Sequence, residues 1–435
     1  MLGYIPKKKL LLFFGDVCII AGGLLLACHL CEVSVSHGLA IITTLCYITA
    51  MYIADLYNLS YRFKTTLYLA RFVTAVCIGT GLTFPLLYML RVKGYTSCVW
   101  LEHLVLILTV GYLWRLVFEW IFRYKKKPMN VLLIGEGDFA NKLCELMQTS
   151  GDYRVNIVGD PATGSLDEWV QTAKIQAIVA DFTSDAMQSE LLKWLLKRKL
   201  DGIIVCDMYQ LYEQLTGKIP VKHINDVWLL REPFLGLMRD NYYIKVKRII
   251  DVIIAVIGLI LAMPVLAIVA LAIKLDSKGP VLYRQNRVGL NEKIFRLIKL
   301  RSMRQDAEST APKWADKGDP RVTRVGRFIR KFRIDEIPQL WNVIRGDMSI
   351  VGPRPERPEF VDQLKSCIPY YSLRHTVKPG MTGWAQVNYR YAASIDETVE
   401  KLQYDLFYIK HISFMLDLRI MLKTIRVLIC GIGAR

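Results

Sequence analysis

The chain has 435 residues, enough for two or three folded units. A hydrophobic fraction of 53% and a mean hydropathy of +0.28 exclude an ordinary soluble protein, so membrane segments are expected. A formal charge of +18 and a pI near 9.4 call for an anionic partner. Nucleic acid is set aside, because no zinc-finger or RNA-binding signature occurs and the basic residues surround apolar stretches. Anionic lipid headgroups and phosphorylated substrates remain.

Four apolar stretches lie near residues 10–30, 38–56, 67–90 and 100–122, each close to the roughly 20 residues that cross a bilayer. Lys7, Lys8 and Lys9 precede the first, Arg62 and Lys64 follow the second, and Arg123, Lys125, Lys126 and Lys127 follow the fourth. Residues 31–37 hold no Lys or Arg, and the 91–99 loop holds only Arg91 and Lys93. The positive-inside rule puts both ends of this 1–127 bundle in the cytoplasm. The first stretch has no cleavage site and is not read as a signal peptide. Asp16 and Asp55 fall at helix ends or within the bundle, where helix packing is the expected role. Cys28-His29-Leu30-Cys31 is read as small residues near a helix end rather than a metal or redox site.

Residues 128–240 read as α/β. Asn130–Ile134 is a short apolar strand followed by Gly135-Glu136-Gly137-Asp138-Phe139-Ala140 and a helical pattern, and 175–181 and 202–206 read as further buried parallel strands. This is a Rossmann-like arrangement with a Gly-x-Gly-x-x-Ala turn. No ribose-binding acid is evident after a second strand, where Asp160-Pro161 stands, so a degenerate structural or regulatory domain is favoured over nucleotide binding.

The fifth apolar stretch, Ile249–Ile273, has Pro264 near its middle, where the ring removes a helical hydrogen bond and kinks the helix. Lys245, Lys247 and Arg248 precede it; Lys274, Lys278, Arg284 and Arg287 follow. A span would carry one basic cluster outside, whereas a re-entrant hairpin over 241–278 keeps both in the cytoplasm. The remaining 279–435 segment is basic and reads as helical with Gly/Pro connections. Its 413–429 stretch alternates Phe414, Leu418, Met421, Leu422 and Ile425 with Arg419, Lys423 and Arg426, as a helix lying in the headgroup plane would.

Chemistry concentrates in Arg330-Lys331-Phe332-Arg333-Ile334-Asp335-Glu336-Ile337-Pro338-Gln339-Leu340. Two adjacent carboxylates stand among cations before a helix that Pro338 suits as a first-turn residue. Helix N-termini attract phosphate, and an acidic nucleophile there meets a phosphoryl group whose charge arginines neutralise. Arg354, between Pro353 and Pro355 after Gly352, is a rigidly placed guanidinium suited to bidentate phosphate contact. The plainer alternatives are a capped helix and an arginine facing a surface carboxylate.

The motifs Lys299-Leu300-Arg301-Ser302-Met303, Asp319-Pro320-Arg321, Asp335–Gln339, Met348–Pro355 and Lys378-Pro379-Gly380-Met381-Thr382-Gly383-Trp384-Ala385-Gln386-Val387 together resemble the bacterial sugar transferases. These are polyprenyl-phosphate hexose-1-phosphate transferases that begin capsule, exopolysaccharide or O-antigen units. The likeness covers roughly 243–430; the earlier residues resemble the additions of the family's large members. It implies an inner-membrane enzyme with a monotopic, mainly α catalytic unit on the cytoplasmic face. UDP-glucose or UDP-galactose would donate to undecaprenyl phosphate, releasing UMP. Asp335 would be the nucleophile, Glu336 a Mg²⁺ ligand or orienting group, and Asp405 a further metal ligand or a structural ion pair. Lys299, Arg301 and Arg330 would serve phosphate, and Trp384 either uracil or the membrane interface. Self-association is left open.

Two other classes compete. A membrane-bound nucleotide-sugar dehydratase or epimerase needs a Tyr-x-x-x-Lys pair; Tyr243 and Lys247 have that spacing, but precede the hairpin rather than lie in the nucleotide-like domain. A non-catalytic scaffold or sensor would tolerate decayed motifs, whereas these are intact.

Overall fold

The computed structural model describes residues 5–33, 37–59, 63–89, 97–123, 128–158, 163–182, 189–231, 242–304, 321–389 and 394–429. They fall into two units, Met1–Pro128 and Met129–Arg435.

The first unit is a bundle of helices Ile5–Leu30, His37–Ile53 and Thr66–Met89 and a fourth rod. That rod is built from Ser97–Leu106, a π-helical turn Ile107–Gly111 and Tyr112–Arg123. Lys8–Leu30, Thr66–Phe84 and Cys98–Phe122 are long and apolar enough to cross a membrane; Ala40–Ile53 is apolar but shorter. Leu12, Tyr47, Met51, Phe72 and Phe118 fill the centre, while Leu45, Leu67 and Trp120 point outward. An apolar exterior, with charge confined to the interior, suits lipid as solvent. The interior charge is a buried pair: Arg115 donates from both terminal nitrogens to Asp16 at 2.7 and 2.8 Å, and also to the Tyr68 hydroxyl and the Gly111 carbonyl. The last contact lies in the π turn, where widened backbone frees a carbonyl for a side chain. Asp16 thus packs helices, as expected, and Asp55 ends its helix at positive φ with Asn58 donating to it. Cys31 differs from its expected plain role, because it forms a disulfide with Cys98. Cys31 follows helix Ile5–Leu30 and Cys98 stands in the first turn of helix Ser97–Leu106, so the bridge ties these two helix ends together. Arg91, Lys93 and Lys125–Lys127 lie outside the described residues.

The second unit begins with four parallel strands in the order β2-β1-β3-β4: β1 Met129–Ile134, β2 Tyr153–Val158, β3 Ala177–Ala180 and β4 Ile204–Asp207. Helices Asp138–Ser150, Thr163–Thr172, Ser189–Leu200 and Met208–Thr216 alternate with them, and Leu132, Ile178, Leu191 and Trp194 close the core. Asp160-Pro161, after β2, lies outside the described residues. Helix Ile395–Lys410 of the C-terminal segment docks on this sheet unit. Ile219 N–H donates to the Gln403 carbonyl at 3.0 Å, Lys410 Nζ to Glu213 at 2.8 Å, and Lys218 pairs with Glu400.

Tyr242–Asp276 is one helix of 35 residues with Pro264 inside it. The proline does not interrupt the helical assignment. After it comes an antiparallel hairpin, β5 Leu282–Val288 and β6 Ile294–Leu300, where the sequence pattern leads one to expect helix. β5, Leu-Tyr-Arg-Gln-Asn-Arg-Val, carries polar residues on both faces, and β6, Ile-Phe-Arg-Leu-Ile-Lys-Leu, does not alternate apolar with polar, so neither shows a strand period. The rest is helical: Arg324–Lys331, Gln339–Arg345, Pro358–Cys367, Trp384–Asn388, Ile395–Lys410 and Phe414–Ile429, with β7 Ser349–Val351 parallel to β8 Gly380–Thr382. In the last helix Asp417 and Ile420 are buried, while Phe414, Met415 and Ile425 are exposed.

Candidate active site

Three backbone segments converge on Glu336. The first is the turn after helix Arg324–Lys331. Arg333 takes a left-handed φ of 54°, and the chain then makes a 3₁₀ turn over Ile334–Glu336 before Pro338 opens helix Gln339–Arg345. The second is β6, which presents Lys299 with Nζ 3.8 Å from Glu336. The third follows β7, where Arg354 donates to Glu336 Oε1 at 2.7 Å. β7 and β8 meet so closely at Gly352 and Gly380 that a Cβ on Gly380 would lie 2.1 Å from the Gly352 nitrogen. Both glycines of the Gly-Pro-Arg-Pro and Lys-Pro-Gly motifs are therefore steric requirements. Arg333, at 3.6 Å, adds a third cation to Glu336.

The two neighbouring carboxylates are treated differently. Burial alone would raise the Glu336 carboxyl, but Arg354, Lys299 and Arg333 outweigh it and hold the group well below the usual range. Asp335 is 8% exposed, and its carboxylate makes no hydrogen bond or ion pair among the described residues. Burial first, and the Glu336 charge second, push its carboxyl above the ordinary value despite Lys299, Arg330 and Arg354 nearby. Burial pulls the Lys299 ammonium down to about 8. One carboxylate is locked by cations and the other is left available.

The remaining expected residues are placed as follows. Arg330 donates to Ser302 Oγ at 2.8 Å and its charge acts on Asp335. Arg301 is not brought to the carboxylates. Its guanidinium donates to the carbonyls of Lys278 at 3.0 Å and Ser277 at 2.7 Å, capping the Tyr242–Asp276 helix. Asp405 is also elsewhere: it is buried, accepts from Arg374 at 2.9 Å, and its carboxyl is pushed up to about 6 by burial. Arg374 donates in addition to the Arg354 carbonyl at 2.9 Å, so the pair braces the arginine's backbone. Trp384 donates to the Gly217 carbonyl at 2.9 Å and stacks on Phe407. It lines a cavity of about 400 Å³ at the junction with the α/β sheet, together with Arg419 and Lys423. Asp319 and Pro320 lie outside the described residues.

Sequence reasoning missed Arg333, Arg374 and Arg287 as contributors here. Arg287, on β5, donates to the Pro355 carbonyl at 3.1 Å and is lowered to about 10 by burial. No local signal marks it, because 282–288 does not alternate in polarity. Among the described residues no group of three or more His, Cys, Asp or Glu side chains could hold a metal. Mg²⁺ does not need one, since it takes one or two carboxylates and completes its shell from phosphates and water. Asp335 and Glu336, side by side, are the carboxylates placed to meet that demand; Asp405 lies apart from them, paired with Arg374.

In the α/β part, Gly135 and Gly137 have φ of 150° and 98°. A Cβ on Gly135 would lie 2.4 Å from Met208 Cε, and Phe139 stacks on Tyr209 with ring centroids 5.1 Å apart. Tyr243 and Lys247 both donate to Asp417, at 2.6 and 2.5 Å, and so form no proton-transfer pair beside the sheet.

An available carboxylate thus stands beside a cation-locked one, in a chain whose long apolar helices fit a membrane protein. The bacterial sugar transferase profile matches residues 242–431, and the chain is a member of that family. It is 45% identical over 263 residues to the UDP-N-acetylgalactosamine-undecaprenyl-phosphate N-acetylgalactosaminephosphotransferase of Aeromonas hydrophila, covering 60% of this chain and 61% of that one. It is 39% identical over 285 residues to the UDP-glucose:undecaprenyl-phosphate glucose-1-phosphate transferase of Xanthomonas campestris pv. campestris, covering 62% and 57%. With the protein of that same name in Escherichia coli K12 it shares 30% identity over 445 residues, 95% of this chain and 93% of the relative. The chain thus spans about three fifths of the length of the first two.

Proposed function

We propose that the protein transfers a sugar 1-phosphate from a UDP-sugar to undecaprenyl phosphate. The Asp335 carboxylate attacks the sugar-bearing phosphorus; the bond to the bridging oxygen breaks and UMP leaves. An oxygen of undecaprenyl phosphate then attacks the aspartyl phosphate, giving undecaprenyl-diphosphate-sugar and restoring the carboxylate. The observation that carries this reading is the contrast between the two acids. Glu336 is held ionised by three cations, while the adjacent Asp335 carboxylate makes no hydrogen bond or ion pair among the described residues. Arg354, Lys299 and Arg330 supply the charge that a diphosphate requires. Mg²⁺, held by Asp335 and Glu336, would neutralise the diphosphate further. Asp405 serves by bracing Arg354 through Arg374.

The sugar is a hexose or N-acetylhexosamine, as in the relatives' names, and glucose and galactose stay in the panel to be tested. The product fits the first membrane step of exopolysaccharide, capsule or O-antigen assembly. The Lys and Arg distribution supports a bacterial inner-membrane location with the site on the cytoplasmic face. A re-entrant Tyr242–Asp276 helix is supported by its two ends. Arg248 donates to Val343 and Ile344 carbonyls, while Asp276 accepts from Val325 N–H and Arg301 caps the C-terminus. Both ends therefore bind the segment that holds the site. A straight helix of this length would reach about 50 Å, well beyond a ~30 Å hydrocarbon core. The α/β sheet unit is a degenerate Rossmann-like domain, supported by Met208 and Phe139 crowding its glycine turn.

The test is direct. Purified protein is incubated with undecaprenyl phosphate, Mg²⁺ and a panel of UDP-hexoses and UDP-N-acetylhexosamines, and UMP is measured. UMP with one or two sugars is the expected result; none with any sugar would overturn the reading.

A further inference from the structure

The first turns of the Tyr242–Asp276 helix carry polar groups that the transfer chemistry does not use. Arg248 donates to the carbonyls of Val343 at 2.5 Å and Ile344 at 2.8 Å. These are C-terminal carbonyls of helix Gln339–Arg345, whose N-terminal approach holds Asp335 and Glu336. Three residues on, Asp251 is 5% exposed. Its carboxylate accepts from Ser349 Oγ at 2.6 Å and from the Ile350 N–H at 3.2 Å. Both belong to β7, which runs directly into Gly352-Pro353-Arg354. Lys247 lies 3.8 Å from Asp251 and donates to Asp417 at 2.5 Å; Tyr408 donates to Asp417 at 2.9 Å and lies 3.1 Å from the Val351 carbonyl. Below this cluster Leu340 packs on Gly258, where an added Cβ would meet its Cδ1 at 3.2 Å.

We infer that Arg248 and Asp251 are positioning residues: one helix end sets the acid pair, the same helix end sets Arg354, and their 2.7 Å contact depends on it. The inference rests on the proposed role of Asp335 and Arg354, and adds that the membrane helix is the ruler between them. Two features make it more than general packing. Both Arg248 bonds are to carbonyls of the Gln339–Arg345 helix, and both Asp251 hydrogen bonds come from β7. In addition, Asp251 uses one carboxylate oxygen on each of two consecutive β7 residues, Ser349 and Ile350, a two-point attachment of the strand. Misplacing a catalytic group by about 1 Å can cost on the order of 100-fold in rate.

The test has two arms. Asp251→Asn keeps size but offers one acceptor in place of two. In the first arm, amide hydrogen exchange is compared between wild type and Asp251→Asn in the full-length protein. Exchange over 349–355 should rise by about 10-fold or more while the Pro358–Cys367 helix stays unchanged. This arm needs no activity, so it stands even if the proposed transfer fails. Unchanged exchange over 349–355 would overturn the inference. In the second arm, UMP release is measured for Asp251→Asn, Arg354→Lys and the double variant. Asp251→Asn should lower kcat by about 10- to 100-fold with the KM for UDP-sugar within about 3-fold, and by less than about 3-fold when Arg354 is already lysine. Equal losses in both backgrounds would mean that Asp251 acts independently of Arg354, and would also overturn it. Should Asp251→Asn fail to fold, Ser349→Ala removes the 2.6 Å bond to Asp251, together with the 3.0 Å contact to the Val351 carbonyl within β7, and carries both arms with the same directions.

Discussion

Replacing Arg354 with lysine separates charge from geometry. Arg354 meets Glu336 at 2.7 Å through one terminal nitrogen, leaving the rest of its planar fork for a phosphate. A lysine keeps the charge but can serve Glu336 or the diphosphate, not both. The loss is one charge-assisted hydrogen bond in the transition state, about 1.5–3 kcal/mol, or about 10- to 150-fold in kcat. Stability should hardly change. Lys299 at 3.8 Å and Arg333 at 3.6 Å still compensate Glu336, and Arg374 binds the backbone carbonyl of residue 354 rather than its side chain. The assay is UMP release at saturating UDP-sugar and undecaprenyl phosphate, with a thermal melt on the same preparation. A kcat within about 3-fold of wild type would refute the phosphate role. A melt lowered by many degrees alongside kcat would make Arg354 a structural residue.

Three further outcomes are expected. The reaction needs Asp335 ionised and Lys299 protonated, so kcat/KM should be bell-shaped, with an acid limb above the ordinary carboxylate value and an alkaline limb near 8. Glu336→Gln removes an anion that raises both groups, and should shift both limbs to lower pH; no shift would contradict the electrostatic account. Arg301→Met should lower the denaturation midpoint by the equivalent of about 2–3 kcal/mol while the KM for UDP-sugar stays within about 3-fold, because Arg301 caps a helix; a raised KM at unchanged stability would return it to the substrate. In a cysteine-depleted protein, Lys245→Cys and Lys278→Cys should both react with a thiol reagent from the cytoplasmic side only, and labelling of the second from outside would rule out the re-entrant helix.

What could be read from the residues follows their periodicity and locality. The four early helices stand within a few residues of the expected stretches, since about 20 apolar residues have few alternatives. The acid pair, Lys299 and Arg354 could be singled out because each sits in a short motif, with Pro338 beside the acids and Gly352, Pro353 and Pro355 around Arg354. The β5–β6 hairpin was not, because Leu282–Val288 alternates exposure without alternating polarity. Nor was the Asp405–Arg374 pair, whose partners lie 31 residues apart with no local pattern joining them. The Cys31–Cys98 bridge spans 67 residues, and no local pattern joins its two ends. Arg301 illustrates a different limit. A basic residue inside a phosphate-handling motif looks like a ligand until the carbonyls it caps are visible.

The central claim is that Asp335 carries the sugar phosphate covalently, and one measurement addresses it most directly. Intact-protein mass spectrometry is run on the purified enzyme with UDP-sugar and Mg²⁺ but no undecaprenyl phosphate. The account predicts release of about one UMP per active site and a mass gain equal to one sugar phosphate. The adduct should map to Asp335, disappear on adding undecaprenyl phosphate, and be absent in Asp335→Asn. A fully active enzyme that forms no adduct, and releases UMP only when both substrates are present, would contradict it and establish a single direct displacement.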